Sequence, residues 1–139
     1  EVIVESFIAG TEVTCGCYKT GQGLQVLPLT EVVSHNEFFD YAAKYKGQVE
    51  EITPARISKQ MTKKIKETTS LIYDLVGAKG IIRADYIISA NTPVLLEINT
   101  TPGMTPTSFI PQQVAAANLS MTDVLSEIIE YEYSKVKSS

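Results

Sequence analysis

Apolar and polar positions change period several times along the chain, and each change marks a predicted element. Val2-Ile3-Val4-Glu5-Ser6-Phe7 reads as a buried strand, and residues 12–18 alternate as a second one. Ala9-Gly10-Thr11 supplies a turn between them, so a hairpin is expected. Thr20-Gly21-Gln22-Gly23 is the next turn, followed by a strand over residues 24–33 that Pro28 weakens or confines to an edge. Residues 34–53 show no clean period, and so long an aperiodic connection inside a compact domain is usually functional. Ile57, Met61, Ile65, Ile72, Leu75 and Val76 then define the apolar face of a long amphipathic helix. Ser58 suits its N-cap, and Gly77 sits where a left-handed residue ends a helix. Strands over 81–89 and 94–99 follow, joined by Ala90-Asn91-Thr92-Pro93, and a Pro/Thr-rich loop covers 100–111. A last helix over about 122–133 carries Leu125, Ile128 and Ile129 as its expected buried stripe. The order of elements and the short hairpins predict an α+β fold, a mainly antiparallel sheet packed against two helices.

The fourth predicted strand carries charges that a core strand should not have. In Ile81-Ile82-Arg83-Ala84-Asp85-Tyr86, Arg83 and Asp85 are two residues apart and project from one side. The next strand places Glu97 and Asn99 on one side in the same way. With the hairpin centred on Asn91, Asp85 faces Glu97 and Arg83 faces Asn99. Opposed carboxylates repel, and flanking Ile and Leu side chains would partly desolvate them, at a cost of several kcal/mol unless a cation compensates. Asp, Glu and Asn oxygens suit Mg²⁺ or Mn²⁺ and not zinc, and Mg²⁺ held this way usually also binds substrate phosphates. Two readings follow from spacing alone: a metal–phosphate site on a sheet face, or a solvated face on which Arg83 neutralises Asp85. The loop that follows brings Gly103 close to the same residues, where its backbone could approach a ligand and its N–H could stabilise an oxyanion beside Arg83.

Composition narrows the class. The chain has 139 residues, 44% hydrophobic, with 12 basic residues against 16 acidic ones and a net charge of −4. That length suits one domain, 1–139, with a real core. The acidic balance argues against a nucleic-acid partner, and no apolar run reaches the roughly 20 residues of a membrane span. Cys15 and Cys17 are too few for a disulfide framework and, with only His35 besides, for a zinc site, so buried inert thiols are expected. Lys63, Lys64 and Lys66 read as a solvated helix face. The opening Glu1-Val2-Ile3-Val4 has no initiator Met and no signal-like stretch, so the chain reads as a cytoplasmic piece of something longer.

Several blocks resemble one family. Gly80-Ile81-Ile82-Arg83-Ala84-Asp85 and Leu96-Glu97-Ile98-Asn99-Thr100-Thr101-Pro102-Gly103-Met104-Thr105 are similar to the carboxyl-terminal signature of the D-alanine–D-alanine ligases, of the ATP-grasp superfamily. Phe39-Asp40-Tyr41-Ala42-Ala43-Lys44-Tyr45 resembles that family's active-site loop, and Val4-Glu5-Ser6-Phe7-Ile8-Ala9-Gly10-Thr11-Glu12 its adenine- and ribose-binding segment. The resemblance runs over essentially the whole chain and implies the carboxyl-terminal part of an ATP-grasp domain, without its amino-terminal partners.

The resemblance implies roles residue by residue. Asp85, Glu97 and Asn99 would hold two Mg²⁺ (or Mn²⁺) ions that bridge the ATP phosphates. Arg83 and the Gly103 amide would stabilise a tetrahedral intermediate, and Ser108 with the Phe109 backbone would hold the carboxylate of the second D-alanine. Lys44 would contact phosphate or carboxylate, and Tyr45 would help lock the loop. Glu5, Phe7, Ile8 and Leu96 would border adenine, and Glu12 would accept from the ribose hydroxyls. The implied reaction phosphorylates one D-alanine carboxylate and lets the amine of a second attack the acyl phosphate, a peptidoglycan-precursor step carried out by a homodimer. Two alternatives accompany it: a relative joining D-alanine to D-lactate or D-serine, from which Lys44-Tyr45 would discriminate, and a non-catalytic nucleotide-binding module.

Overall fold

The computed structural model describes residues 2–34 and 49–137. Among these residues, six strands form one antiparallel sheet: β1 (Thr11–Thr20), β2 (Gly23–Val26), β3 (Thr30–Ser34), β4 (Val49–Ile52), β5 (Ile81–Ser89) and β6 (Thr92–Asn99). Three helices accompany them: α1 (Lys59–Leu75), α2 (Phe109–Ala116) and α3 (Met121–Lys137). The order across the sheet is β4-β3-β1-β5-β6, with β2 also on β1. The expected α+β class with an antiparallel sheet is what the chain adopts.

β1 is the central strand, and both its edges are occupied. β5 pairs along one edge from Thr11 to Tyr18, while β3 and β2 share the other, pairing Glu12 to Thr14 and Cys17 to Thr20 respectively. This corrects the expected first hairpin. No edge of β1 is left for residues 2–7, which carry no strand and leave Val2, Ile3, Val4 and Phe7 exposed. The expected single strand over 24–33 is divided at Pro28, which has no N–H to give to a ladder, into β2 and β3. The short Val-Glu-Glu-Ile of β4, inside the segment read as aperiodic, adds the edge beyond β3.

The sheet separates two layers of core. Val13, Cys15, Ala84 and Tyr86 point toward α1 and pack with Met61 and Ile65. Tyr18 and Ile81 point the other way and pack with Ile110, Val114, Val124 and Ile128 from α2 and α3. The helices thus cover both faces, with a third, α2, starting inside the stretch read as loop. The α3 stripe also needs correction: Val124 and Ile128 are buried, while Leu125 and Ile129 are exposed. On α1 the buried positions are Met61, Ile65, Thr69 and Tyr73, and Leu75 and Val76 lie outside. Thr69 is tolerated there because its hydroxyl bonds the Tyr86 hydroxyl at 2.8 Å and the Ile65 carbonyl at 2.8 Å.

The ends of α1 follow their local chemistry. The Ser58 hydroxyl accepts from the Met61 N–H at 3.2 Å, the expected cap. Gly77, at φ +60°, lets its own N–H reach the Asp74 carbonyl and that of Ala78 the Tyr73 carbonyl, a Schellman closure. That closure returns the chain into β5, the strand carrying Arg83 and Asp85. No helix among the described residues is long and apolar enough to cross a membrane. Cys15 and Cys17 are free and fully buried, as expected, and burial pushes the Cys15 thiol up to about 12.

Candidate active site

Asp85 faces Glu97 and Arg83 faces Asn99 across the β5–β6 hairpin, the register expected from the charge pattern. The hairpin reaches it differently. Ala90 and Asn91 have positive φ and form a two-residue turn, which pairs Ser89 with Thr92 and Tyr86 with Leu95. A bulge at Leu96 then restores the alignment of Asp85 with Glu97.

Arg83 and Asp85 lie opposite Gly16 and Thr14 of β1, on the α2–α3 side of the sheet. Arg83 grips Asp85 from Nε at 2.9 Å and Nη2 at 2.7 Å, and Nη2 is 3.8 Å from Glu97. The Thr14 hydroxyl donates to Asp85 Oδ1 at 2.5 Å. Hydrogen bonding to Asp85 holds the Arg83 guanidinium above its ordinary pKa, with the charges of Asp85, Glu97 and Glu12 adding to this and burial opposing it. The expected carboxylate repulsion is therefore relieved by Arg83. Side chains of Arg83 and Asp85 are only 15% and 12% exposed, whereas that of Glu97 is 66% exposed. The Asn99 side-chain oxygen Oδ1 accepts from the Thr101 N–H at 3.1 Å, which starts the turn into the loop.

An open cleft of about 510 Å³ lies beside these groups. Glu5, Phe7, Ile8, Glu12 and Leu96 line it together with Asp85 and Glu97, so the five residues expected around a nucleotide meet two of the three expected around a metal. Phe7 is 89% exposed, so this wall is open to solvent. Asp85, Glu97 and Asn99 offer hard oxygen atoms from one hairpin, the donor chemistry that Mg²⁺ or Mn²⁺ takes. Among the described residues no group of three His, Cys, Asp or Glu side chains converges on one point, so two carboxylates and an amide are the donor set available.

On the other side of Arg83 lies the start of α2. The guanidinium stands 5.1 Å from the centre of the Phe109 ring. Ser108 is the N-cap of α2 but makes no side-chain cap bond; its hydroxyl lies 2.7 Å from that of Thr105. Gly103 packs against Ser108 so closely that a Cβ would come within 2.8 Å of Oγ. Gly103 thus meets Ser108 and Arg83 meets Phe109, so the expected oxyanion and carboxylate groups are joined through consecutive residues. Lys44 and Tyr45 lie outside the described residues, as do Phe39 and His35. The site also contains groups without a signal in the sequence: Thr14, polar on an alternating strand, and Gln113, the buried one of two adjacent glutamines on α2.

Residues 1–130 match the family described as D-ala D-ala ligase C-terminus. The chain belongs to this family. A D-alanine–D-alanine ligase of Parabacteroides distasonis is 66% identical over 139 residues, covering 99% of this chain and 42% of its own length. The crystal structure of the Bacillus anthracis D-alanine–D-alanine ligase complexed with ATP superposes with a TM-score of 0.77 at 28% identity, over 96% of this chain and 43% of that one. The VanG D-Ala:D-Ser ligase of Enterococcus faecalis does so with a TM-score of 0.74 at 31% identity, over 90% and 37%. The chain spans about two fifths of the length of the curated relatives it matches. The cleft, the hairpin carboxylates and the Ser108–Phe109 start of α2 stand side by side around Arg83.

Proposed function

We propose that the protein carrying this chain joins two D-alanines in an ATP-dependent reaction, through an acyl phosphate, for peptidoglycan precursor synthesis. The observation that carries this reading is the junction at Arg83: carboxylates lining the cleft hold it on one side, and Phe109 of the acceptor segment lies against it on the other. ATP would lie in the cleft, with Glu12 toward the ribose and Leu96 and Ile8 toward the base. Asp85, Glu97 and Asn99 would hold Mg²⁺ or Mn²⁺, whose charge would neutralise that of the phosphates.

This chain's own residues then orient and stabilise. Charge develops on oxygen when one carboxylate is phosphorylated and again when the second amine attacks the acyl carbon. Arg83 is already fixed by two bonds to Asp85, so it can meet that charge with little reorganisation. The Gly103 N–H adds a neutral donor. Ser108, whose hydroxyl is not spent on capping, and the first N–H groups of α2 suit a carboxylate, because a helix start carries partial positive charge. Lys44, outside the described residues, would contact phosphate or carboxylate, with Tyr45 next to it in the sequence.

The test is ADP release by the full-length protein with D-alanine, D-lactate or D-serine offered as acceptor. D-Alanyl-D-alanine as the dominant product at neutral pH is expected. A preference for D-serine or D-lactate would move the protein to the related ligases, and ATP binding without turnover to a non-catalytic module.

A further inference from the structure

The expected acceptor residues sit on a short helix, and one buried side chain ties that helix to the sheet. Gln113 lies four residues after Phe109 and is fully buried. Its Oε1 accepts from the Gly16 N–H at 2.9 Å, and its Nε2 donates to the Thr14 carbonyl at 3.1 Å and the Thr30 hydroxyl at 3.1 Å. A buried amide is costly to desolvate, and an aliphatic side chain could fill the space; these three bonds are what the amide adds.

The place it occupies is a gap in a ladder. β3 ends its pairing with β1 at Thr14, and β2 begins at Cys17. Between them stands Pro28, which has no N–H, and only Leu27 reaches β1, donating to the Gly16 carbonyl at 2.9 Å. The Gln113 amide stands in for the absent strand, with a carbonyl toward one β1 N–H and an N–H toward one β1 carbonyl. The approach is close: a Cβ on Gly16 would fall 2.5 Å from Ile110 Cδ1 and 2.7 Å from Gln113 Oε1. The residue Gln113 grips, Thr14, is also the one whose hydroxyl holds Asp85.

We infer that Gln113 is a positioning residue for the acceptor: docked in the interrupted β1 ladder, it sets the place of Ser108 and Phe109 relative to Asp85 and Arg83. This rests on the proposed ligase reading. The link runs Phe109–α2–Gln113–Thr14–Asp85, and each joint is a helix or a buried hydrogen bond. Without it, α2 would keep only apolar contacts, the Arg83–Phe109 stacking and the exposed Gln112–Glu51 bond at 2.6 Å. These do not specify position as a buried, doubly bonded amide does, and acceptor binding would weaken before nucleotide binding did.

The experiment uses the full-length protein and two variants. Gln113→Met keeps length and volume and removes the amide, and Gly16→Ala wedges the same contact from the sheet side. For each, the KM for acceptor D-alanine should rise about tenfold while the KM for ATP stays within about twofold. Amide hydrogen exchange without substrate should quicken at Gly16 and at the hydrogen-bonded amides of Ser108 and Gln112 together, and not in α1. An acceptor KM within about twofold of wild type in whichever variants fold overturns the inference, as does a fall in kcat with every KM unchanged. Wild-type protein that ligates no D-alanine overturns the functional reading instead; hydrogen exchange then decides the inference, with faster exchange confined to Gly16 counting against it.

Discussion

Replacing Asp85 by Asn sets two electrostatic terms against each other, and the geometry says which wins. One is relief of repulsion between Asp85 and Glu97, which face each other across the hairpin. Glu97 is largely in solvent, and two charges about 5 Å apart in a water-like dielectric interact by less than about 1 kcal/mol. The other is loss of the carboxylate that Arg83 and Thr14 grip. An Asn retains one acceptor oxygen and turns an N–H₂ toward a guanidinium that can only donate. Breaking a fully buried ion pair costs about 3–5 kcal/mol, and this pair retains some exposure, so about 2–3 kcal/mol is expected. The variant should therefore be less stable by about 2 kcal/mol, a fall in Tm of about 6 °C for a chain of this size. Urea and thermal unfolding of the 139-residue chain, followed by circular dichroism, would measure it. A double-mutant cycle with Arg83→Met should return a coupling of about 2 kcal/mol between the two side chains. An unchanged or raised Tm for Asp85→Asn would mean that repulsion dominates and that Arg83 is not the partner described.

Other consequences are simpler to test. Ser58→Ala removes the cap bond to Met61 and should cost about 1 kcal/mol by urea unfolding, with no change in m-value. Cys15 and Cys17 should ignore a thiol-specific disulfide reagent at mildly alkaline pH in the folded chain, and both should react once urea is added; fast reaction of the native chain would contradict their burial. Hydrogen bonds from Arg56 hold the Glu31 carboxyl below its ordinary 4.5, so the pair contributes stability above about pH 4.5 that is lost as pH falls through the lower folded value. The stability gap between wild type and Arg56→Gln should accordingly be constant at neutral pH and shrink in acid; a gap unchanged down to about pH 3 would refute the assignment.

Local rules reached some of this structure and stopped short of the rest for identifiable reasons. Strand parity put Arg83, Asp85, Glu97 and Asn99 on one face, and their register came out as expected because the Leu96 bulge offsets the difference between an Asn91-centred turn and the two-residue turn present. Ser58 and Gly77 were legible because caps depend on a few neighbouring residues. Val2–Val4 has strand-like residues, but whether a strand forms depends on a free edge, and β1 has none to offer. On α3, Val124 with Ile128 and Leu125 with Ile129 share one period, and only the position of the sheet chooses between them. Thr14 and Gln113 escape sequence reasoning altogether. Their importance lies in contacts 71 and 99 residues away along the chain.

The central claim is that the hairpin face bearing Asp85, Glu97 and Asn99 holds the metal that serves the nucleotide phosphates. The most direct measurement is a Mn²⁺ titration of the full-length protein with ATP present, followed by electron paramagnetic resonance of free Mn²⁺, for wild type and Glu97→Gln. Glu97 is mostly exposed, so its loss should leave thermal unfolding nearly unchanged. Wild type should bind two Mn²⁺ per chain, and Glu97→Gln should weaken at least one of them about tenfold or more. Identical titrations for the two proteins would contradict the claim and return these carboxylates to the role of a salt-bridged sheet face.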